Sequence, residues 1–361
     1  MKWEIPAWIL VVIGIIAAGL RFVYGLGATT ALTNFFPWGI WIGFDFICIG
    51  LAAAGFTIAA IVHIFKLKRF ESIVRPSILV AFIGYIIVVF FLIVDLGLPL
   101  SAWHPLVMWN PHSVMFEITW CILLYSSILI LELLPVLLEK LDLKNRLSGL
   151  LSAFLKFCSP AIVVTGVILS TLHQSSFGSL YLIMPSKMSA LWYSNIIPVL
   201  FYISCLAAGL AMSIVTQIAA ARQMGHKVNF KLLEELSSYI VVILAVYGTV
   251  RFQDLIARGV LMTIFSLSFQ PLMFWAEIII GIVIPMILLI NTTTRHMESG
   301  VHLASWCVLG GFMLNRINTT IIAFNIGMIY IPSLIEIAVV VGLVAAGFLA
   351  YSYISKNFNI F

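Results

Sequence analysis

Charge is what this sequence has least of. Only 9% of its 361 residues are Asp, Glu, Lys or Arg, while 63% are hydrophobic. A chain of this length cannot hide so much apolar surface in a water-soluble core, which excludes a soluble domain. The five cysteines, Cys48, Cys121, Cys158, Cys205 and Cys307, stand one to a span with no Cys-x-x-Cys spacing. An iron–sulfur cluster held by this chain and a disulfide framework are thereby excluded, and small apolar packing residues remain as the reading. No nucleotide-binding motif is found. The net charge of +5 lacks the basic, aromatic-interleaved face that nucleic acid requires and fits topology and lipid headgroups instead. The apolar runs do not alternate with period two, so a barrel is excluded as well.

What the sequence does have is long apolar runs of about 20 residues or more, enough to cross a hydrocarbon layer about 30 Å thick as helices. They predict an all-α integral membrane protein of ten spans: 7–27, 39–65, 77–99, 113–138, 152–175, 193–221, 235–257, 271–291, 301–321 and 333–354. The first is read as a permanent helix, not a cleaved signal, because it is too long and lacks a small-x-small site. Fourteen of the 19 cations, from Lys2 through Lys66, Lys140, Arg222 and Arg295 to Lys356, fall on alternate connections. The positive-inside rule therefore puts both termini in the cytoplasm of a cytoplasmic-membrane protein. Arg21, at the other end of span one, reads as a snorkelling interface residue.

Polar groups cluster toward the outer ends of the spans. The stretch Leu172-His173-Gln174-Ser175-Ser176-Phe177-Gly178 puts a titratable ring among small polar residues at the end of span five. Asp45 lies seven residues after Trp38, about 10 Å along its helix. A carboxylate at that depth costs a few kcal/mol unless it is paired, protonated or hydrated, which makes it a functional candidate. Glu117 opens span four, and Glu132 lies 15 residues on, about 22 Å deeper, so the two mark the ends of one helix. The aromatic belt Trp38–Trp41 and an outer loop carrying His104 and His112 complete the outer face.

Weak self-similarity accompanies this asymmetry. Asp95-Leu96 recurs as Asp254-Leu255, Met115-Phe116 as Met273-Phe274, and Glu117 as Glu277, at offsets of 158 to 160 residues. Four helices separate the copies, so the expected architecture is a parallel tandem repeat, spans two to five (39–175) and six to nine (193–321), flanked by spans one and ten. The whole chain, 1–361, is one membrane domain.

Oxidising a lipid-soluble quinol releases two electrons and two protons, and calls for an apolar channel, hydrogen-bond donors and a base titrating near neutrality. His173 suits the base, and Asp45 or Glu117 an orienting or proton-accepting carboxyl. Gln174 and Arg251 supply donors beside Trp38, Trp41, His104 and His112, and Asp95, Glu132, Asp254 and Glu277 are candidates for a proton path. No metal site is expected, and the electrons must pass to another protein.

Five motifs sharpen this reading: Pro37-Trp38-Gly39-x-Trp41-Ile42-x-x-Asp45, Leu172-His173-Gln174-Ser175-Ser176-x-Gly178-Ser179, Leu191-Trp192-Tyr193, Asn315-Arg316-Ile317-Asn318 and Ile331-Pro332-Ser333-Leu334-x-Glu336. Together they resemble the NrfD/PsrC family of membrane quinone-interacting subunits, in its ten-helix HybB/DsrP-like branch, across essentially the whole chain. The resemblance implies a haem-free, metal-free and nucleotide-free subunit, not a complete enzyme alone. It also implies electron exchange between menaquinone and a ferredoxin-like iron–sulfur partner in a respiratory complex, with the quinone pocket in the first bundle near the outer face. Two alternatives stay open. A di-haem b-type cytochrome needs paired histidines at one depth. A secondary transporter shares parallel repeats and buried acids but lacks a matched pair of broken helices here.

Overall fold

The computed structural model describes residues 3–141, 146–225, 229–324, 330–358 and 360. No β-strand occurs among them, and ten long helices account for the architecture. These are α1 Glu4–Tyr24, α2 Ile40–His63, α3 Glu71–Asp95, α4 Val114–Leu141, α5 Arg146–Leu182, α6 Ile197–Met224, α7 Phe230–Ala257, α8 Phe269–Ile290, α9 Glu298–Ile317 and α10 Leu334–Asn357. Among the described residues nine of them, all but α9, are long and apolar enough to cross a membrane. The chain is a multi-pass integral membrane protein. Helix α9 falls short on composition, because Asn315 and Arg316 occupy its last turn and it runs on into a π-helical turn, Asn318–Ile322, rich in Asn and Thr.

Helix α5 extends two turns beyond the expected end at residue 175. Its serines do not break it, because each returns a hydrogen bond to its own helix: Ser175 Oγ donates to Thr171 O at 2.9 Å and Ser176 Oγ to Leu172 O at 2.8 Å. Hydroxyls satisfied in this way are compatible with an apolar setting. His173 therefore sits about 14 Å from the helix end at 1.5 Å per residue, deeper than a boundary residue. Arg21 corrects the snorkelling expectation. It is buried, at 3% exposure, and donates through Nη2 to the Leu96 carbonyl beside Asp95.

Helices α2 and α6 form the centre, with 72% and 67% of their apolar stretches buried against 22% for α1. Helices α2, α3, α4 and α5 pack on one another, α6, α7, α8 and α9 do likewise, and α2 and α5 join the groups by packing on α6. Outside them α1 lies along α10, where an ideal Cβ on Gly14 would come 2.8 Å from Gly342 Cα, so only glycine allows the approach. Helix α10 starts on a capping box: Ser333 Oγ accepts from Glu336 N at 3.2 Å while Glu336 Oε2 accepts from Ser333 N at 2.9 Å. Lys356 Nζ meets Glu4 Oε1 at 2.8 Å and brings the two terminal helices together at one end.

A second close approach fixes α8 against α9. A Cβ on Gly311 would lie 2.0 Å from Gly281 Cα, whereas one on Gly310 would meet nothing nearer than Ile280 Cγ2 at 3.7 Å. Gly311→Ala should lower the stability of the detergent-solubilised protein by about 1–3 kcal/mol. Gly310→Ala should leave its thermal midpoint nearly unchanged, and equal midpoints for the two variants would contradict this packing.

Candidate functional site

Two buried polar centres lie in the half of the molecule away from the terminal helix ends. The first is built on α2, α3, α4 and α5. His173 is 0% exposed, Asp45 and Tyr85 1%, and Tyr125 0%. Tyr85 meets the His173 ring edge-on at 5.4 Å between centroids, Phe177 tilts against it at 4.7 Å, and Tyr125 lies 4.5 Å from Tyr85. Asp45 interacts electrostatically with Tyr85. Both Asp45 carboxyl oxygens and the Tyr85 hydroxyl are buried without a protein hydrogen-bond partner, and His173 and Tyr125 have only poorly aligned ones, the Cys121 backbone and Ser170.

So many orphaned groups in one place are costly. A buried polar group without a partner costs about 1–3 kcal/mol, and folded proteins rarely tolerate it where no ligand or water serves the group. Rings wall this set of donors and acceptors. Phe46 packs on Phe177 at 4.6 Å and on Tyr181 at 5.9 Å, and Trp38 stands edge-on to Tyr181 at 5.5 Å. Apolar walls with a few convergent polar atoms are what a planar, lipid-soluble ring bearing two oxygens requires.

The second centre is mostly paired, with Arg251 Nε and Asn318 Oδ1 its unpartnered buried atoms. Glu277 on α8 accepts from Trp192 Nε1 at 3.1 Å, Asn318 Nδ2 at 2.8 Å and Asn315 Nδ2 at 3.2 Å, with Arg251 Nη2 at 3.9 Å. Arg316, 1% exposed, lies over the Phe201 ring at 3.7 Å and donates to Ser204 Oγ at 2.8 Å. A cavity of about 30 Å³, room for one or two waters, is lined by Glu277, Asn315, Tyr247 and Ser204. A π-helical turn, Ile279–Val283, follows Glu277 directly, and the one at Asn318–Ile322 follows Arg316. Such turns recur at functional sites.

The expected site residues divide between and around these centres. His173 and Asp45 are linked through Tyr85, which meets the imidazole edge-on and interacts electrostatically with the carboxylate. Gln174 is beside them, but its amide is already held, Nε2 donating to Ile49 O at 2.8 Å. Glu117 is at an exposed position on α4 and shares the Ser176 hydroxyl proton with Leu172 O, one turn beyond His173, so it belongs to the rim. Arg251 belongs to the second centre, not the first, and donates to Leu191 O at 2.9 Å. Trp41 points toward α10, where its Nε1 donates to Glu336 O at 3.0 Å, and serves packing. Trp38 keeps its place in the aromatic wall.

His104 packs edge-on against Trp103 at 4.5 Å on the loop between α3 and α4, and His112 is exposed there. Trp120 Nε1 fastens that loop by donating to Pro105 O at 3.0 Å. Among the path candidates, Asp95 interacts electrostatically with both Asp45 and Arg21, and Glu277 lies in the second centre. Asp254 is tied to Arg258 at 2.6 Å and to Ser194 Oγ at 2.5 Å, a structural bridge. Glu132 stands apart on α4, with Oε1 buried and unpartnered. Among the described residues no three His, Cys, Asp or Glu side chains are grouped to hold a metal ion.

Sequence reasoning misses Tyr85, Tyr125 and Cys205. A tyrosine in an apolar run looks like any aromatic core residue, and only packing shows that its hydroxyl faces other polar atoms.

The family model for polysulphide reductase, NrfD, matches residues 28–327. A protein of Nitratidesulfovibrio vulgaris is 35% identical over 97% of this chain and 92% of its own length. The "Probable Ni/Fe-hydrogenase 2 b-type cytochrome subunit" of Escherichia coli is 30% identical over 95% of this chain and 88% of its own. The "Menaquinone reductase, integral membrane subunit" of Nitratidesulfovibrio vulgaris is 26% identical over 100% of this chain and 92% of its own.

Proposed function

The chain belongs to the polysulphide reductase NrfD family, and from that premise we propose that it is the quinone-reactive membrane subunit of a respiratory electron-transfer complex. The observation that carries the reading is the set of orphaned buried groups on Asp45, Tyr85, Tyr125 and His173 inside a wall of rings. The substrate is menaquinol or menaquinone, the quinone for which one relative is named. When the quinol is oxidised its two O–H bonds break. His173 takes one proton and Asp45 the other, and two electrons leave for a ferredoxin-like iron–sulfur subunit. Reduction runs the same steps backward. Asp95, coupled to Asp45 and to Arg21, is the next acceptor toward the end of α3.

The cation distribution supports a cytoplasmic-membrane protein with both termini inside, and the two packed groups of helices support a parallel repeat of bundles flanked by α1 and α10. Rings pack closely around His173, and two small cavities adjoin the second centre, one lined by Glu277 and Asn315 and one by Arg251 and Asn315.

The name of the Escherichia coli relative favours a second reading, a b-type haem, whose two axial imidazoles must face each other. Four of the described histidines speak against it. Tyr85 and Phe177 flank His173, His302 Nε2 already accepts from Trp306 at 3.0 Å, and His104 and His112 lie on a loop. An absorption spectrum of the purified subunit decides between the readings, since a haem gives a Soret band. For the quinone reading, Asp45→Asn should slow turnover of the complex with a menaquinol analogue by about 10²-fold or more, as expected on losing a positioned proton acceptor. Wild-type turnover in that variant would remove Asp45 from the reaction.

A further inference from the structure

Arg316 lies where the two groups of helices meet, and the direction of every hydrogen bond leading away from it is fixed by chemistry. A guanidinium only donates and a carboxylate only accepts, so a group held by either has its own polarity decided. Toward Glu277 the link is Asn315: Arg316 Nη1 donates to its Oδ1 at 2.7 Å, and its Nδ2 donates to Glu277 Oε1 at 3.2 Å. Toward the first centre the link is Cys205 on α6. Arg316 Nη2 donates to Cys205 Sγ at 3.3 Å, so the sulfur accepts there and its single proton goes elsewhere. It goes to Gln174 Oε1, at 2.9 Å.

An amide has two orientations of nearly equal shape, and only its partners choose between them. Here the choice is forced. With Oε1 on the thiol, Gln174 Nε2 faces Ile49 O at 2.8 Å. The flipped amide would set oxygen against oxygen at Ile49 and NH2 against the thiol proton at Cys205. Nε2 carries two protons and the Ile49 carbonyl takes one, which leaves a second donor on the residue next to His173 in the chain. Gln174, Cys205 and Arg316 are all buried, so water cannot substitute for the lost order.

We infer that Arg316 and Cys205 are positioning residues for Gln174: a cation in the second group of helices, through one thiol, joins the Ile49 carbonyl in holding an amide that presents N–H to a quinone carbonyl in the first. This rests on the quinone reading above, and it gives the second centre a role at the reacting site. No proton need cross the link. Its effect is orientation and a fixed positive charge behind the donor.

The test uses the assembled complex, with a fluorescent hydroxyquinoline N-oxide as menaquinol analogue for binding and a soluble menaquinol analogue for turnover. Cys205→Ala removes donor and acceptor and should raise both the dissociation constant and KM about tenfold with kcat changed less, the loss expected for one buried hydrogen bond. Cys205→Ser keeps one donor and one acceptor and should stay within about twofold of wild type. If Cys205→Ala fails to assemble, Cys205→Val, of similar volume and without polar atoms, carries the same expectation. Wild-type binding in the Ala or Val variant, or a Ser variant as weak as Ala, overturns the positioning role while leaving the quinone reading intact. No analogue binding by the wild-type complex overturns the quinone reading and this inference with it.

Discussion

His173→Ala is expected to lower quinone-linked electron transfer by about 10²- to 10⁴-fold, the range for loss of a positioned acid–base group. The ring is wholly buried between Tyr85 and Phe177, and both of its nitrogens lack protein partners of normal geometry. The one protein contact of those nitrogens is a poorly aligned one with the Cys121 backbone, so their loss should fall on the chemistry more than on the fold. Truncation also leaves a ring-sized gap, and assembly must therefore be measured beside turnover. His173→Gln separates the two effects, since it fills most of the space and bonds like an imidazole but cannot take up a proton. Its turnover should fall nearly as far as that of the Ala variant while the complex assembles normally. Normal turnover in the Gln variant would show that the ring fills space and nothing more.

The second large effect is on stability. Glu277→Ala removes the one anion among Arg251, Arg316, Trp192, Asn315 and Asn318, all of which are buried or point inward. Removing one partner from a buried charged pair leaves the other uncompensated, at a cost of about 3–5 kcal/mol. The Arg251 guanidinium and the two side-chain amides would lose this acceptor together, leaving Leu191 O to Arg251 and Met273 O to Asn318. Thermal unfolding in detergent should show a much lower midpoint for Glu277→Ala. Glu277→Gln, which keeps the volume and one acceptor, should fall between that variant and wild type. A wild-type midpoint for Glu277→Ala would mean that the cluster contributes nothing to the fold.

Much of this arrangement is legible in the sequence because depth along a membrane helix follows from counting residues. Asp45, His173, Gln174 and Glu277 stand out since polar groups in apolar runs are expensive. Lateral position is not legible in that way. Arg251 lies on the same half of the molecule as His173, and counting cannot say that it faces Glu277 on the other side of α6. Trp41 fails for the same reason, sharing a helix with Asp45 but turning toward α10. The end of α5 is hidden because serines and Gly178 look like a break in sequence, while in the folded chain the serine hydroxyls close on their own helix. Cys205 reads as a packing residue, which its burial satisfies, and only the positions of Arg316 and Gln174 on either side give its sulfur a polarity.

Photolabelling of the intact complex with an azido-menaquinone, followed by peptide mapping, tests most directly where the quinone binds. Adducts should fall on α2, α3, α4 and α5, on peptides containing Asp45, Tyr85, Tyr125 or His173–Phe177, and excess unlabelled menaquinone should suppress them. Adducts confined to the α6 to α9 group around Glu277, or labelling that menaquinone does not compete away, would contradict a quinone site at His173.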